Sequence, residues 1–218
     1  MKKMLKEYRT LYKEGIDEII IEKSRFIGYA KPVKSEEEAI QFIEEIKKKH
    51  RDATHNVPAY VIEDSNLVQR YSDDGEPSGT AGIPVLEVIK KENLKNVVVV
   101  VTRYFGGIKL GAGGLVRAYT RGAKVAVEAG KIVVKRIYKL IAVEIEYHLL
   151  GKVQNEILQN NFLLKDIEYG ELVKLYVYIK LDEVEFFLNM VTEWTSARCE
   201  TEKITKEYLT ELNGKIIL

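Results

Sequence analysis

The sequence predicts an α+β protein of two domains, and three observations carry that prediction. Over the first 135 residues, strand-like segments alternate with helical apolar spacing. Inside that stretch, Val97 to Val101 is an unbroken run of five valines, which has no polar face and reads as a strand covered on both sides. From Lys139 onward the chain restarts with a new order, strand, helix, strand, strand, helix, strand.

The elements of the first part follow from local chemistry. Asp17 to Val33 reads as two strands, with Ile19, Ile20 and Ile21 together and then Phe26, Ile27 and Tyr29 before Pro32. Ser35-Glu36-Glu37-Glu38 is a capping box. The helix behind it places Ala39, Phe42, Ile43 and Ile46 on one face. Its end, Lys47-Lys48-Lys49-His50-Arg51, puts cations where the helix dipole favours them, or offers a binding site. Val57–Glu63 and Leu67–Ser72 read as a hairpin around Asp64-Ser65-Asn66. A polar, glycine-rich loop runs from Ser72 to Gly82, and Pro84 opens a short helix to about Asn93. After the valine strand come Gly106, Gly107, Gly111, Gly113 and Gly114, then a helix from Leu115 to Ala129 with Gly130 suited to its C-terminal cap.

In the second part, Lys139–Tyr147 reads as a strand and Leu149–Asn160 as a helix. Phe162–Tyr169 and Glu171–Leu181 read as strands around a turn at Gly170. Asp182 is placed to cap a helix to Ser196, and Cys199–Leu209 is the last strand. The order is the ferredoxin-like split βαβ pattern. The expected domains are residues 1–135 and 136–218, joined without a Pro/Gly/Ser linker.

Composition narrows the function classes. The longest aliphatic run is Val97–Val101, against the roughly 20 residues of a membrane helix. The start carries basic residues with no apolar segment behind them, so a secretory leader is not expected. One cysteine, Cys199, allows no internal disulfide and fits a reducing, cytoplasmic setting. With Cys199, His50, His55 and His148 far apart in sequence, a structural zinc site is not expected. The net charge of +1 conceals an asymmetry, since 24 basic and 19 acidic residues lie in 1–135, and 10 and 14 in 136–218. Residues 93–127 hold six basic side chains and no acidic one, which is either a steering patch for an anionic partner or uneven surface charge.

The segment from Val101 to Arg117 is strand, glycine loop, helix. Glycines let backbone N–H groups approach a ligand, and the first helical turn adds unpaired N–H groups and partial positive charge. Arg103 and Lys109 add full charges, and Arg117, Arg121 and Lys124 form one stripe at i, i+4 and i+7. The expected anion or nucleic-acid contacts are therefore Arg103, Gly106, Gly107, Lys109, Gly111, Gly113, Gly114, Arg117 and Arg121. The alternative is a tight turn that lets the helix pack on its sheet. Gly106 and Gly111 have the Walker spacing, but Ala112 and Gly113 stand where Lys and Ser/Thr are required. Val116 stands at the third glycine of a dinucleotide fingerprint, so neither nucleotide motif is complete.

The loop residues Asp73, Asp74, Glu76 and Ser78 form a second candidate. Its carboxylates suit Mg²⁺, could pair with the basic stripe, or could simply serve a turn. His55, just before a strand, is the one candidate catalytic residue, as a general base, or a structural hydrogen bonder. Lys23, Ser24 and Arg25 extend the basic surface or edge a strand. Trp194, at helical spacing with Phe187 and Met190, reads as core, and Cys199 as inert.

Lys23-Ser24-Arg25-Phe26-Ile27, Ala53-Thr54-His55-Asn56, Tyr71 through Ala81 and above all Val97 through Tyr119 resemble the Impact/YigZ family. The resemblance spans residues 22–130, and the remainder looks like the small ferredoxin-like domain of bacterial members. It departs at Val57, where members tend to have Cys, so a thiol there is not essential to this chain. The resemblance implies a first domain with the fold of ribosomal-protein domain 2 and elongation factor G domain IV, and a second similar to domain V of that factor. It also implies a link to translational control. The first expectation is thus a non-catalytic, translation-associated regulator that binds ribosome, structured RNA or a translation factor, with no DNA-binding motif in view. The alternatives are a Mg²⁺-dependent enzyme or binder of a nucleotide or phosphorylated small molecule, and a protein–protein adaptor using the acidic second domain.

Overall fold

A computed structural model of the chain describes residues 5–63 and 67–217. The hairpin turn expected at Asp64-Ser65-Asn66, like the first residues of the chain, lies outside the described residues. The chain divides into two compact units. One runs up to Val134 and takes in Leu212–Lys215; the other covers Lys135–Glu211 and Ile216 onward. The expected boundary at 135/136 falls within a single strand.

The first unit begins with β1 (Glu7–Leu11), which sequence patterning did not reveal. β2 (Gly15–Ile21), β3 (Ser24–Pro32), α1 (Glu36–Lys49), β4 (His55–Glu63), β5 (Leu67–Tyr71), α2 (Gly82–Lys91), β6 (Val97–Tyr104) and α3 (Gly111–Gly130) follow. The sheet order is β2-β3-β6-β4-β5, antiparallel at every pairing. β6 is central, and its valines serve two cores. Val97, Val99 and Val101 join the core that includes α2 and α3 residues such as Val85, Ile89 and Tyr119. Val98 and Val100 join the α1 residues Ala39, Phe42, Ile43 and Ile46. A valine run without a polar face therefore marks a strand covered on both sides, here in an antiparallel sheet.

α1 starts as expected, with Ser35 Oγ accepting from the Glu38 amide. The Glu38 carboxylate accepts from the Lys34 amide, one residue earlier than a strict capping box. α3 corrects the sequence reading at both ends. It begins at Gly111 rather than Leu115: Gly111 enters at φ 66°, a conformation glycine adopts freely, and the buried Leu115, Ala118 and Tyr119 anchor the turns that follow. It ends on Gly130, and Lys131, at φ 58°, takes the capping position.

The other unit contains β7 (Ile132–Ile145) beyond the division, α4 (Leu150–Gln159), β8 (Leu163–Tyr169), β9 (Val173–Lys180), α5 (Val184–Thr195), β10 (Glu200–Leu212) and β11 (Lys215–Ile217). The strand order is β11-β10-β7-β9-β8. Val153, Ile157, Phe187, Val191 and Trp194 from the helices meet Ile141, Val143, Leu175 and Val177 from the sheet. Glu183, not Asp182, precedes α5, and no side chain caps that helix.

His50, at the end of α1, is buried between Tyr29 and Tyr104, with Nε2 2.6 Å and Nδ1 2.9 Å from their hydroxyls. Burial holds its pKa below the ordinary histidine value; Lys49 adds to this and Asp52 opposes it. The unfolded chain then binds a proton more readily than the folded one. Stability should be full above about pH 6.5 and fall as the pH drops below that value. Thermal unfolding should show a declining Tm between about pH 7 and 5, flattened in His50→Gln. A wild-type Tm unchanged over that range would contradict this.

Candidate functional site

The loop from Ser72 to Ala81 is built by its own carboxylates. Asp73 Oδ1 accepts from the amides of Ala81 (3.1 Å) and Gly82 (2.8 Å), and Oδ2 from Gly79 (2.9 Å). It thus supplies the acceptors for the start of α2, whose flanking Ala81 has no capping side chain. Partial burial disfavours the Asp73 anion, but the three amide bonds outweigh it and hold its pKa below the usual carboxylate value. Asp74 Oδ2 accepts from the Asn56 amide at 2.6 Å, and its carbonyl accepts from His55 Nδ1 at 2.8 Å. Ser78 is exposed and has no hydrogen bond among the described residues.

Glu76 turns inward. Its Oε1 accepts from Arg103 Nη1 at 2.6 Å and from the Tyr119 hydroxyl at 2.7 Å, and His55 Nε2 lies 3.7 Å away. Arg103 is only 5% exposed. Its guanidinium lies against the rings of Phe26 and Phe105, at 5.4 and 5.5 Å, and Nη2 reaches Ser24 Oγ at 3.5 Å. Its Nε–H is buried and meets no acceptor. Burial and the bond to Glu76 push the Tyr119 pKa far up, so the phenol remains a donor in alkaline solution. Arg103, expected as a surface charge, is therefore an internal one. The β4–β6 register sets it opposite His55, on the sheet face that carries α3.

The acid-free segment divides accordingly. Lys95 pairs with Glu63 at 2.7 Å and Arg103 with Glu76. Lys109, Arg117, Arg121 and Lys124 are exposed, and no ion pair is formed by any of them among the described residues. Lys109, Arg117 and Arg121 line an open groove of about 540 Å³ together with Ile21, Glu22 and Ile108. On the other side of the 105–110 segment, a cleft of about 350 Å³ includes His55, Arg103, Phe105, Lys109, Gly111 and Ala112. Gly106 and Gly107 lie in the connecting segment, while Gly111, Gly113 and Gly114 form the first turn of α3, which no side chain caps. Arg25 is bound to Glu18, so it does not join the free cations. The three loop carboxylates do not converge, and no group of three or more His, Cys, Asp or Glu among the described residues is arranged to hold a metal.

Sequence reasoning placed Ser24 on a basic surface or a strand edge without seeing its contacts, and it missed Thr54, Phe105 and the Tyr119 hydroxyl. Thr54 Oγ1 accepts from the Phe105 amide at 3.0 Å, and Ser24 Oγ from the Gly106 amide at 3.1 Å. A tyrosine on an apolar helix face must find a partner for its hydroxyl, which was the available signal. Val57, at the departure from the family pattern, is fully buried in the core.

Comparison with known proteins bears on both units. The Impact N-terminal domain matches residues 22–127, and a domain of unknown function (DUF1949) matches residues 143–198. IMPACT family member YvyE of Bacillus subtilis (strain 168) is 45% identical over 206 residues, covering 94% of this chain and 95% of that protein. IMPACT family member YigZ of Escherichia coli (strain K12) is 34% identical over 169 residues, covering 77% and 83% respectively. A crystal structure of a hypothetical protein has 28% sequence identity and a TM-score of 0.58, covering 93% of this chain and 99% of that one.

Proposed function

The chain belongs to the IMPACT family, and on that premise we propose that it is a non-catalytic, translation-associated RNA-binding protein of the cytoplasm. The contact surface would be the exposed basic face of α3. Its targets would be the ribosome, structured RNA or an RNA-bound translation factor. The carrying observation is that Lys109, Arg117, Arg121 and Lys124 stand exposed together, and no carboxylate pairs with them among the described residues. Cations left free of intramolecular partners are available to phosphates. The uncapped first turn of α3 adds amide donors to the same end. No helix is long and apolar enough to cross a membrane among the described residues.

We read the second unit as ferredoxin-like, supported by the order β7-α4-β8-β9-α5-β10 and by the sheet order β10-β7-β9-β8. The first unit we read as sharing the fold of ribosomal-protein domain 2 and elongation factor G domain IV. The tandem would then correspond to the tRNA-mimicking end of a translation factor, which supports the reading by analogy alone.

The test is co-sedimentation with ribosomes and bulk RNA. If all four cations meet phosphates, affinity should fall about a hundredfold between about 50 and 200 mM salt. Lys109→Ala/Arg117→Ala/Arg121→Ala changes only exposed side chains, so it should fold while losing most of that salt dependence. Equal sedimentation of wild type and variant, or none at micromolar protein, would overturn the proposal. Capture that persists after nuclease treatment would point to a protein partner instead.

A further inference from the structure

The basic groove and the neighbouring cleft meet, since Lys109 and Leu110 line both. The cleft offers a different chemistry from the groove. Phe105, 47% exposed, stands at its rim, and Pro77, Leu110 and Leu115 make much of its wall apolar. Two hydrogen-bond acceptors, Glu76 and His55, also line it. Glu76 uses Oε1 for both Arg103 and Tyr119, while its Oε2 makes no hydrogen bond among the described residues. That side chain is only 3% exposed, yet the fully buried side-chain atoms without a partner are Glu63 Oε2 and Arg103 Nε. The free oxygen of this almost wholly buried carboxylate therefore opens to the cleft that Glu76 lines. In His55, Nδ1 lies 2.8 Å from the Asp74 carbonyl. A carbonyl only accepts, so Nδ1 carries the ring proton and Nε2 keeps a lone pair. Nε2 is 3.7 Å from Glu76 Oε1, too far for a hydrogen bond.

Two unpaired acceptors in a mainly apolar cleft call for a donor. Arg103 already balances the Glu76 charge, and Lys109 stands exposed at the mouth, which disfavours a cation. The carboxylate disfavours a phosphate inside. An uncharged amine on a flat ring meets each condition. Building on the RNA-binding reading, we propose that the cleft takes one unstacked base of the bound strand and favours a base with an exocyclic amine over uracil. The backbone phosphate stays on Lys109, where groove and cleft meet, and the base turns inward onto the Phe105 ring. Its amine donates to Glu76 Oε2 and His55 Nε2. Uracil turns a carbonyl oxygen toward the same acceptors, and is rejected by lone-pair repulsion rather than by size.

Fluorescence anisotropy of the full chain with a uridylate strand of about eight nucleotides, and with the same strand carrying one central cytidine or adenosine, tests the pocket. The strands carry equal phosphates, so the salt-dependent part of binding cancels in the comparison. The cytidine and adenosine strands should bind about tenfold more tightly, the scale of one base-specific contact. Phe105→Ala and Ala112→Phe change exposed positions, so both should fold, with Tm as the check. The first removes the stacking surface and the second fills the cleft from its α3 wall. In each variant the three strands should bind alike. The proposal is overturned if wild type binds the three alike, or if either variant keeps the wild-type preference. Salt-sensitive binding without preference would leave the α3 face standing and remove the pocket, whereas failure to bind any strand would remove both.

Discussion

Replacing Glu76 with alanine is expected to destabilise the protein by about 3–5 kcal/mol, the range for removing one partner of a buried ion pair. The carboxylate faces two donors at once, Arg103 Nη1 at 2.6 Å and the Tyr119 hydroxyl at 2.7 Å. Removing it leaves a guanidinium only 5% exposed without counter-charge, and a fully buried phenol without an acceptor. The cost is dominated by those abandoned groups rather than by the attraction lost. The corollary is a second variant. Glu76→Leu/Arg103→Met/Tyr119→Phe removes every member together and should recover most of the stability, because replacing a buried pair with apolar groups of similar size is often neutral. Urea denaturation followed by far-UV circular dichroism measures both. A loss below about 1 kcal/mol for Glu76→Ala would mean that water or a rearranged side chain takes over, contrary to this account.

How far this network was legible in the sequence differs from residue to residue. α1 was readable because Ser35 and the spacing of Ala39, Phe42, Ile43 and Ile46 are local signals. The two-unit α+β architecture was readable from such patterns in sum. β1 carries too short a pattern to stand out, and its Arg9 bridges to Leu94, beyond α2, across a long sequence separation. Arg103 was taken for a surface charge, yet a signal existed. In a strand, Val97, Val99, Val101 and position 103 share one face, and Val97 to Val101 are wholly buried. The alternation pointed Arg103 inward; what no local pattern could reveal was its partner. Glu76 lies 27 residues away in a loop whose path is set by Asp73 and Asp74 binding backbone amides. Composition gave four residues of acidic and turn-forming type, and only the fold decides which of them turns inward. Conversely, the stripe of Arg117, Arg121 and Lys124 was legible because helix periodicity fixes it without any long-range contact.

Gly106→Ala is expected to lose about 3 kcal/mol, the upper end of overpacking costs, together with RNA binding at the head of α3. A Cβ at Gly106 would overlap the backbone of Lys23 and Ser24. Neither can move freely, since Glu22 and Lys23 form a tight turn at φ 45° and 62° between paired strands. The Gly106 amide also donates to Ser24 Oγ, so displacing it breaks the bond that ties the segment to the hairpin. Gly107 is the internal control. Its φ is 86°, but a Cβ there meets nothing within 4 Å. Gly107→Ala should therefore cost only backbone strain, roughly 1–2 kcal/mol, and leave the position of Lys109 and the first turn of α3 unchanged. Urea denaturation gives the stability of each variant, and the salt dependence of RNA co-sedimentation reports the site. Two adjacent glycines are thus required for different reasons, one for space and one for conformation. Equal losses in the two variants would show that the 105–110 segment is held by its own turn geometry, not by its contact with the hairpin.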